Sequence, residues 1–364
     1  PWPPPTRVRY HRSLTCADYV VPHQVSIDSS DIEFTVEDEE SILDAALRLG
    51  LPVPYGCKTG GCGACRARII SGDIHHVHNP RALSDSERQA GLTLLCQAQP
   101  ESDLHIDVQL LARDGRHQVR SVPARVYLRE RLSHDVVRMV LQLPKARTFD
   151  YLPGQYVDIL LRDGRRRSFS IASPPSPDNR IEMQLRHVPG GSFVSYVINE
   201  MPDCSVLRIQ GPLGGFYLRD APERPAIFIA GGTGFAPVRA MLMEALARGE
   251  SKPLHLYWGV RAARDLYEDA LARSWAQEHP NLRYTPVLSE PAAGDDWQGA
   301  TGFVHEQVIR DFPDCSGCDV YLSGPPVLVN AAKRDLADRG LKPERTFYDA
   351  FEYAFVTWPD DENT

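Results

Sequence analysis

The chain lacks any apolar run long enough to cross a bilayer. Its longest stretch free of Asp, Glu, Lys and Arg, from Pro225 to Val238, is 14 residues and contains an adjacent glycine pair, whereas a span takes about 20 apolar residues. It also lacks a strong excess of one charge. Its 40 Lys and Arg against 48 Asp and Glu leave −8, which is the wrong sign for a nucleic-acid partner. Cysteine is sparse, eight in 364 residues, too thin for a disulfide scaffold at this length. Reduced thiols and a cytoplasmic location are therefore expected, with no membrane partner. The N-terminus lacks the apolar core of a secretion signal. Prolines at 1, 3, 4 and 5 and arginines at 7, 9 and 12 instead mark residues 1–20 as a Pro-rich extension.

What is present is globular. Apolar residues make up 42% and charged residues 24%, so the chain can bury several cores, and at about 150 residues per domain it holds two or three. Charge changes sign along it. Residues 22–113 carry 14 acidic and 7 basic side chains, residues 114–224 carry 12 and 17, and residues 225–364 carry 21 and 13. Such alternation predicts separate modules whose neighbouring faces attract one another. We place the boundaries at 21–113, 114–223 and 224–364.

Local pattern distinguishes the three. In the first, Ser41 caps a helix whose apolar residues Ile42, Ala45, Ala46 and Leu49 share a face, with Gly50 as its stop. The second reads as all-β, with short runs at 122–127, 135–143, 155–161, 167–171, 180–186 and 206–210 separated by Pro and Gly. The third alternates strands (226–230, 254–260, 320–323) with helices, one starting at Pro237 and one over 327–338. That alternation predicts a parallel sheet with its ligand at the strand C-termini.

The most specific signal is Cys57-Lys-Thr-Gly-Gly-Cys62-Gly-Ala-Cys65, with Cys96 after 30 further residues. The C-x4-C-x2-C…C spacing is the plant-type [2Fe–2S] pattern, in which one loop supplies three thiolates and a distant segment the fourth. Zinc sites usually come as two short pairs, which this 3+1 arrangement does not match. Glycines at 56, 60, 61 and 63 let the loop turn its N–H groups toward the sulfurs. Two weaker signals are set aside. His76 and His78 lack carboxylate or thiol neighbours in sequence and read as a solvated segment. Cys315 and Cys318 have no second pair and read as ordinary thiols.

Residues 22–113 thus resemble a plant-type ferredoxin, and 120–355 resemble the ferredoxin–NADP reductase superfamily. Together they are similar to fused ferredoxin–flavin reductases that feed multicomponent oxygenases, including a CDP-6-deoxy-glucoseen reductase branch. The resemblance implies a multidomain chain: a β-grasp ferredoxin (α+β), an antiparallel β-barrel binding FAD, and a doubly wound α/β domain binding NADH, with NADPH as the alternative. It implies an oxidoreductase that passes hydride from NADH to FAD. Single electrons then go through the cluster to an oxygenase component of Rieske, di-iron or P450 type, Rieske foremost. Supply to a deoxysugar dehydratase is the second reading.

Carried over residue by residue, Pro153-Gly-Gln-Tyr156 and Arg167-Ser168-Phe169-Ser170 match the flavin loop, with Arg167 on a phosphate, Phe169 on the ring and Ser170 toward N5. Arg186, His187 and Val188 match the strand beside the ring, and Gly191, Ser192, Phe193 and Val194 the pyrophosphate turn. Val194 replaces the usual Ser or Thr, and Phe169 the usual Tyr, which implies FAD retained but held less tightly. Phe351 matches the residue that covers the flavin. Gly231, Gly232, Thr233, Gly234 and Pro237 match the nicotinamide-side phosphate loop, with Arg261, Gly324 and Pro325 as further nucleotide contacts. Ser323 stands where the family usually has Cys beside the nicotinamide. Ser170, Ser323 and Phe351 are the expected catalytic residues, and Cys57, Cys62, Cys65 and Cys96 the expected iron ligands.

Overall fold

The structure, a computed structural model, describes residues 22–351 apart from 29, 109, 111–118, 146–148, 222 and 293. The Pro-rich extension lies outside these residues.

Three sheets follow one another along the chain. The first is built from β1 (His23–Ile27), β2 (Glu33–Val36), β3 (Arg66–Ser71), β5 (Leu92–Leu94) and β7 (Leu104–Asp107) in the order β2-β1-β7-β3-β5, with β4 (Ile74–His76) and β6 (Ala98–Pro100) as a side ribbon. The β1–β7 pair is parallel and the β1–β2, β3–β5 and β3–β7 pairs are antiparallel. Helix α1 (Ile42–Arg48) crosses this sheet, and the short α2 (Asp85–Gln89) precedes β5. Ser41 caps α1 as expected, its hydroxyl accepting from the Asp44 N–H at 3.1 Å. The buried face is Ile42, Leu43, Ala45 and Ala46. Leu49 does not join it and is 47% exposed, because the helix ends at Arg48 before the turn through Gly50 at φ +68°.

The second sheet is antiparallel throughout: β8 (Arg120–Arg131), β9 (Val136–Gln142), β10 (Tyr156–Leu160), β11 (Arg166–Ser170), β12 (Arg180–Arg186) and β13 (Val206–Leu213), ordered β11-β10-β13-β8-β9-β12. A bridge between Ile171 and Met183 joins the two ends and closes the barrel. Alternate residues such as Met139, Leu141, Ile159, Ile181, Met183 and Leu185 point inward and are buried, as period-2 strands with one wet face require. Helix α3 (Ser192–Asn199) seals one end through Phe193, Val194 and Val197.

The third sheet is parallel throughout, in the order β17-β16-β15-β14-β18-β19, from β14 (Ala226–Gly231), β15 (Leu254–Val260), β16 (Leu282–Leu288), β17 (Ala300–Thr301), β18 (Asp319–Gly324) and β19 (Thr346–Ala350). Helices α4 (Phe235–Ala247), α5 (Asp269–Glu278), α6 (Val304–Asp311) and α7 (Pro326–Ala337) make the connections. β14 lies between β15 and β18, so strand order reverses there and opens a crevice at the strand C-termini. Pro237 is not the first helical residue: a 3-10 turn over Gly232–Gly234 leads into α4 at Phe235. A proline in the first turn interrupts no helical bond, because its missing N–H would have no partner there. Among the described residues, no helix is long and apolar enough to cross a membrane.

Candidate functional site: three nucleotide and metal loops around one junction

The four cysteines expected to bind iron converge. Cys62, Cys65 and Cys96 are buried and Cys57 is half-buried. Their thiols lie close enough to share protons in pairs. A hydrogen bond with Cys57 is the main reason the Cys62 thiol is pushed well up, and one with Cys96 does the same to Cys65; the Cys65 bond pulls Cys96 down. Two thiol pairs, Cys57–Cys62 and Cys65–Cys96, brought together from one loop and a distant segment are the donor set that a dinuclear iron cluster takes.

The loop is shaped for that load. The Cys57 and Ala64 N–H groups donate to Cys62 Sγ at 3.3 and 3.4 Å, and the Thr59 and Cys62 N–H groups donate to Cys57 Sγ at 3.3 Å each. Gly60 and Gly63 have φ of +79° and +78°, and a Cβ on Gly56 would lie 3.0 Å from Cys62 Sγ. Gln97 braces the far side by donating to the Lys58 and Cys96 carbonyls at 3.1 and 3.0 Å.

The flavin-side residues gather on β10, β11, β12 and the start of α3. Ser168 Oγ donates to Asp158 Oδ1 across the β10–β11 pair at 2.6 Å, and Arg167 is half-buried with Nη1 donating to the Arg166 carbonyl. Phe169 packs against Phe193 with ring centroids 5.7 Å apart. Gly191 caps α3 without a side-chain hydrogen bond, which leaves first-turn N–H groups, Val194 among them, able to meet an anion. The loss of a hydroxyl at Val194 therefore leaves the backbone donor in place. His187 Nε2 is 3.0 Å from Ser195 Oγ. Arg186 donates through Nε to Asp135 at 2.8 Å, and its Nη1 lies 3.1 Å from where a Cβ on Gly232 would sit. It thus reaches from the flavin strand to the nicotinamide loop.

At the switch point, β14 and β18 interlock. A Cβ on Gly234 would fall 2.1 Å from the Ser323 carbonyl oxygen, and one on Gly324 would fall 2.9 Å from the Gly231 oxygen. Only glycine permits this approach. Ser323 is fully buried, with a hydroxyl that has no hydrogen-bond partner in the structure. A buried polar atom left open beside a glycine cradle fits a nucleotide group. Arg261 is exposed at the end of β15. Pro325 caps α7, and Phe351 returns to the same place by donating its N–H to the Gly324 carbonyl at 2.9 Å.

Two features carry no motif in the sequence. Asp349 accepts from Ser170 Oγ at 3.3 Å, linking β19 to the flavin strand. Burial pushes its carboxyl up to about 7; the Ser170 bond opposes this and nearby Cys57 adds to it. A carboxylate inside a parallel strand is its one trace in the sequence. The second feature is a buried quartet between the barrel and the parallel sheet. Glu268 meets Arg138 at 2.5 Å and Arg239 at 2.9 Å, and Glu182 meets the same arginines at 3.1 and 3.5 Å. Gln184 donates to Glu268, Tyr267 donates to Gln184, and Arg239 donates to the Ala172 carbonyl at 2.6 Å. Arg239 interrupts the apolar surface of α4, which is its trace in the sequence.

The histidine pair and the second cysteine pair stay outside this junction. His76 Nε2 is 2.9 Å from Thr93 Oγ1, and His78 is exposed. Cys315 and Cys318 are buried in an apolar cluster, and burial pushes the Cys315 thiol up to about 11. Neutral groups take part in the contact between the first module and the barrel: Tyr156 Oη donates to the Gly56 carbonyl, the Gly215 N–H donates to the Tyr55 carbonyl, and Tyr156 and Leu213 share the first module's core.

A dinuclear-iron loop, a flavin barrel and a nucleotide-binding parallel sheet meeting at one junction define an iron–sulfur flavoprotein oxidoreductase. Three family models match: 2Fe-2S iron-sulfur cluster binding domain over residues 25–101, Oxidoreductase FAD-binding domain over 123–217, and Oxidoreductase NAD-binding domain over 228–334. CDP-6-deoxy-L-threo-D-glycero-4-hexulose-3-dehydrase reductase of Yersinia pestis is 38% identical over 329 residues, 90% of this chain and 98% of that protein. Phenol hydroxylase P5 protein of Acinetobacter pittii (strain PHEA-2) is 35% identical over 85% of this chain and 89% of its own length. Among solved structures, Amycolatopsis cytochrome P450 reductase GcoB matches with a TM-score of 0.74 and 32% identity, over 90% of this chain and 98% of that one. The chain belongs to the fused ferredoxin–flavoprotein reductase family, within the ferredoxin–NADP reductase superfamily. It is an NAD(H)-, FAD- and [2Fe–2S]-dependent electron-transfer oxidoreductase.

Proposed function

We propose that the chain oxidises NADH and delivers electrons singly to the oxygenase component of a multicomponent system, with a Rieske-type oxygenase as the acceptor. Bound FAD supplies two-electron to one-electron conversion, and the cluster supplies one-electron relay. The protein's part is placement. Cys57, Cys62, Cys65 and Cys96 hold the irons. Arg167 and the α3 N-terminus would receive the flavin phosphates, and Ser170, bonded across to Asp349, would donate toward the ring. The Gly231–Gly234 turn, Ser323, Gly324 and Pro325 take the nicotinamide half, and Phe351 closes the cleft.

The observation that carries this reading is the meeting of all three loops at one junction, where β19 touches each. NADH is favoured over NADPH because Arg264, a cation of the Arg261 turn, lies 4.0 Å from Asp265, whose carboxylate also accepts from the Ala262 N–H. A 2′-phosphate would have to compete with that carboxylate.

A second reading, electron supply to a deoxysugar dehydratase, is favoured by the 38% identical Yersinia relative. The test is anaerobic titration with NADH or NADPH, followed by mixing the reduced protein with purified Rieske, di-iron and P450 oxygenase components and a sugar dehydratase. Fast, saturable oxidation by the Rieske component alone supports the first reading, and preference for the dehydratase replaces it with the second.

A further inference from the structure

The loop that carries Cys57, Cys62 and Cys65 is held by two phenols, one from each of the other sheets. Tyr156, at the start of β10 in the flavin barrel, donates from Oη to the Gly56 carbonyl at 2.8 Å. Tyr348, on β19 of the parallel sheet, donates from Oη to the Gly63 carbonyl, also at 2.8 Å. These are not arbitrary anchor points. The peptide that presents the Gly56 carbonyl on one side presents the Cys57 N–H on the other, and that N–H donates to Cys62 Sγ at 3.3 Å. The peptide that presents the Gly63 carbonyl presents the Ala64 N–H, which donates to the same sulfur at 3.4 Å.

Both units are trans, since the described cis bond is Gly211–Pro212, and in a planar trans peptide the C=O and N–H point in opposite directions. Each phenol therefore both aims an N–H at Cys62 Sγ and polarises it, because a peptide that accepts at oxygen is a stronger donor at nitrogen. Hydrogen bonds to cluster sulfurs stabilise the electron-rich reduced state and raise its potential. Lys333 of α7 lies 3.9 Å over the Tyr348 ring, which packs that ring in place.

We infer that Tyr156 and Tyr348 are positioning residues that raise the reduction potential of the cluster by acting, through two peptide units, on Cys62 Sγ. Docking of the cluster module on the flavin barrel and on the nicotinamide sheet is thereby coupled to the potential at which the cluster accepts an electron. Undocking removes both donors together. The inference rests on Cys57, Cys62, Cys65 and Cys96 being the iron ligands.

The test uses the full holoprotein and its Tyr156→Phe, Tyr348→Phe and doubly substituted forms. Redox titration followed by the EPR signal of the reduced cluster should show a lower potential in each single variant and a further drop in the double. The size expected is up to tenfold in the electron-sharing equilibrium per tyrosine, about 59 mV for a one-electron couple. Pulsed EPR of protein carrying 15N at residues 57 and 64 should show weaker coupling from the amide opposite the removed phenol. If a Phe variant does not fold, site-specific replacement of Tyr348 by a more acidic fluorinated tyrosine should raise the potential instead. Unchanged or higher potentials in the Phe variants, or a lower one with the fluorinated residue, would overturn the inference while the ligand assignment stands. Absence of any [2Fe–2S] signal in the unaltered protein would overturn both.

Discussion

Replacing Glu268 with Gln tests what fixes the flavin barrel against the nicotinamide sheet. Glu268 is 8% exposed and is the most buried of three carboxylates about Arg138 and Arg239, meeting them at 2.5 and 2.9 Å, beside Glu182 and the half-exposed Glu130. Gln keeps the shape and removes the charge. It also turns an NH2 toward arginine or Gln184 donors where an oxygen had accepted, so at least one bond becomes a donor–donor contact. Glu182 would then be the one buried carboxylate left on both arginines, with Glu130 holding Arg138 from the solvent side at 2.8 Å. Removing one partner of a buried, hydrogen-bonded ion pair costs about 3–5 kcal/mol. For a cooperative unit of this size that is on the order of 10 °C in melting midpoint.

Arg239→Met should be costly alone, since it leaves Glu268 with Arg138 as its one cation and frees the Ala172 carbonyl. Combined with Glu268→Gln it restores charge balance around Arg138 and Glu182, so the double variant should be more stable than the summed single losses by about 1–3 kcal/mol. Denaturation followed by flavin fluorescence and near-ultraviolet circular dichroism measures all three forms. A Glu268→Gln loss below about 1 kcal/mol, or strict additivity, would refute the quartet as the element joining the two sheets.

Gly234→Ala places a Cβ 2.1 Å from the Ser323 carbonyl; NADH should fail to reduce the flavin at any accessible concentration, and stopped-flow absorbance would record it. Cys96→Ser should abolish the iron–sulfur EPR signal and reduction of a protein acceptor while NADH-driven dye reduction through the flavin persists. Ser323→Cys should change the rate of flavin reduction by NADH, and an unchanged rate would count against a role for residue 323 in hydride transfer. Asp349 has a folded pKa raised to about 7, above the usual carboxyl value near 3.9. The stability it contributes is complete below about pH 4 and is lost as pH rises through 7. Asp349→Asn should therefore gain on the parent between pH 5 and 8, by up to about 4 kcal/mol at roughly 1.36 kcal/mol per unit, and parallel melting curves across that range would contradict it.

Elements whose burial follows a simple pattern are legible in the residues themselves. The Arg180–Arg186 and Leu254–Val260 strands have the expected ends, because one is largely amphipathic and the other almost wholly apolar. Short segments such as β4, β5, β6 and β17 are not legible, since two or three residues carry no period. The cysteine loop is legible because its ligands sit close together along the chain, with an unusual spacing. The phenols that hold it are not. Tyr156 is 100 residues from Gly56, and Tyr348 is 285 residues from Gly63, and no local pattern encodes such a meeting. Glu268 and Arg138 are likewise 130 residues apart. Net charge belongs to whole surfaces and names no contact, so the meeting of Tyr156 with Gly56 and of Gly215 with Tyr55 is also invisible in the sign change between the first two modules.

β19 pairs with β18 and is followed by Phe351, and its last residues bond to the cluster loop, the flavin strand and the nicotinamide strand. On a ribosome it emerges after every other strand described. Until it emerges, the barrel can hold the cluster loop through Tyr156 alone. The five residues of β19 add the second phenol to that loop, the carboxylate beside Ser170 and the parallel neighbour of β18, so the last strand described is the one that ties all three sheets together.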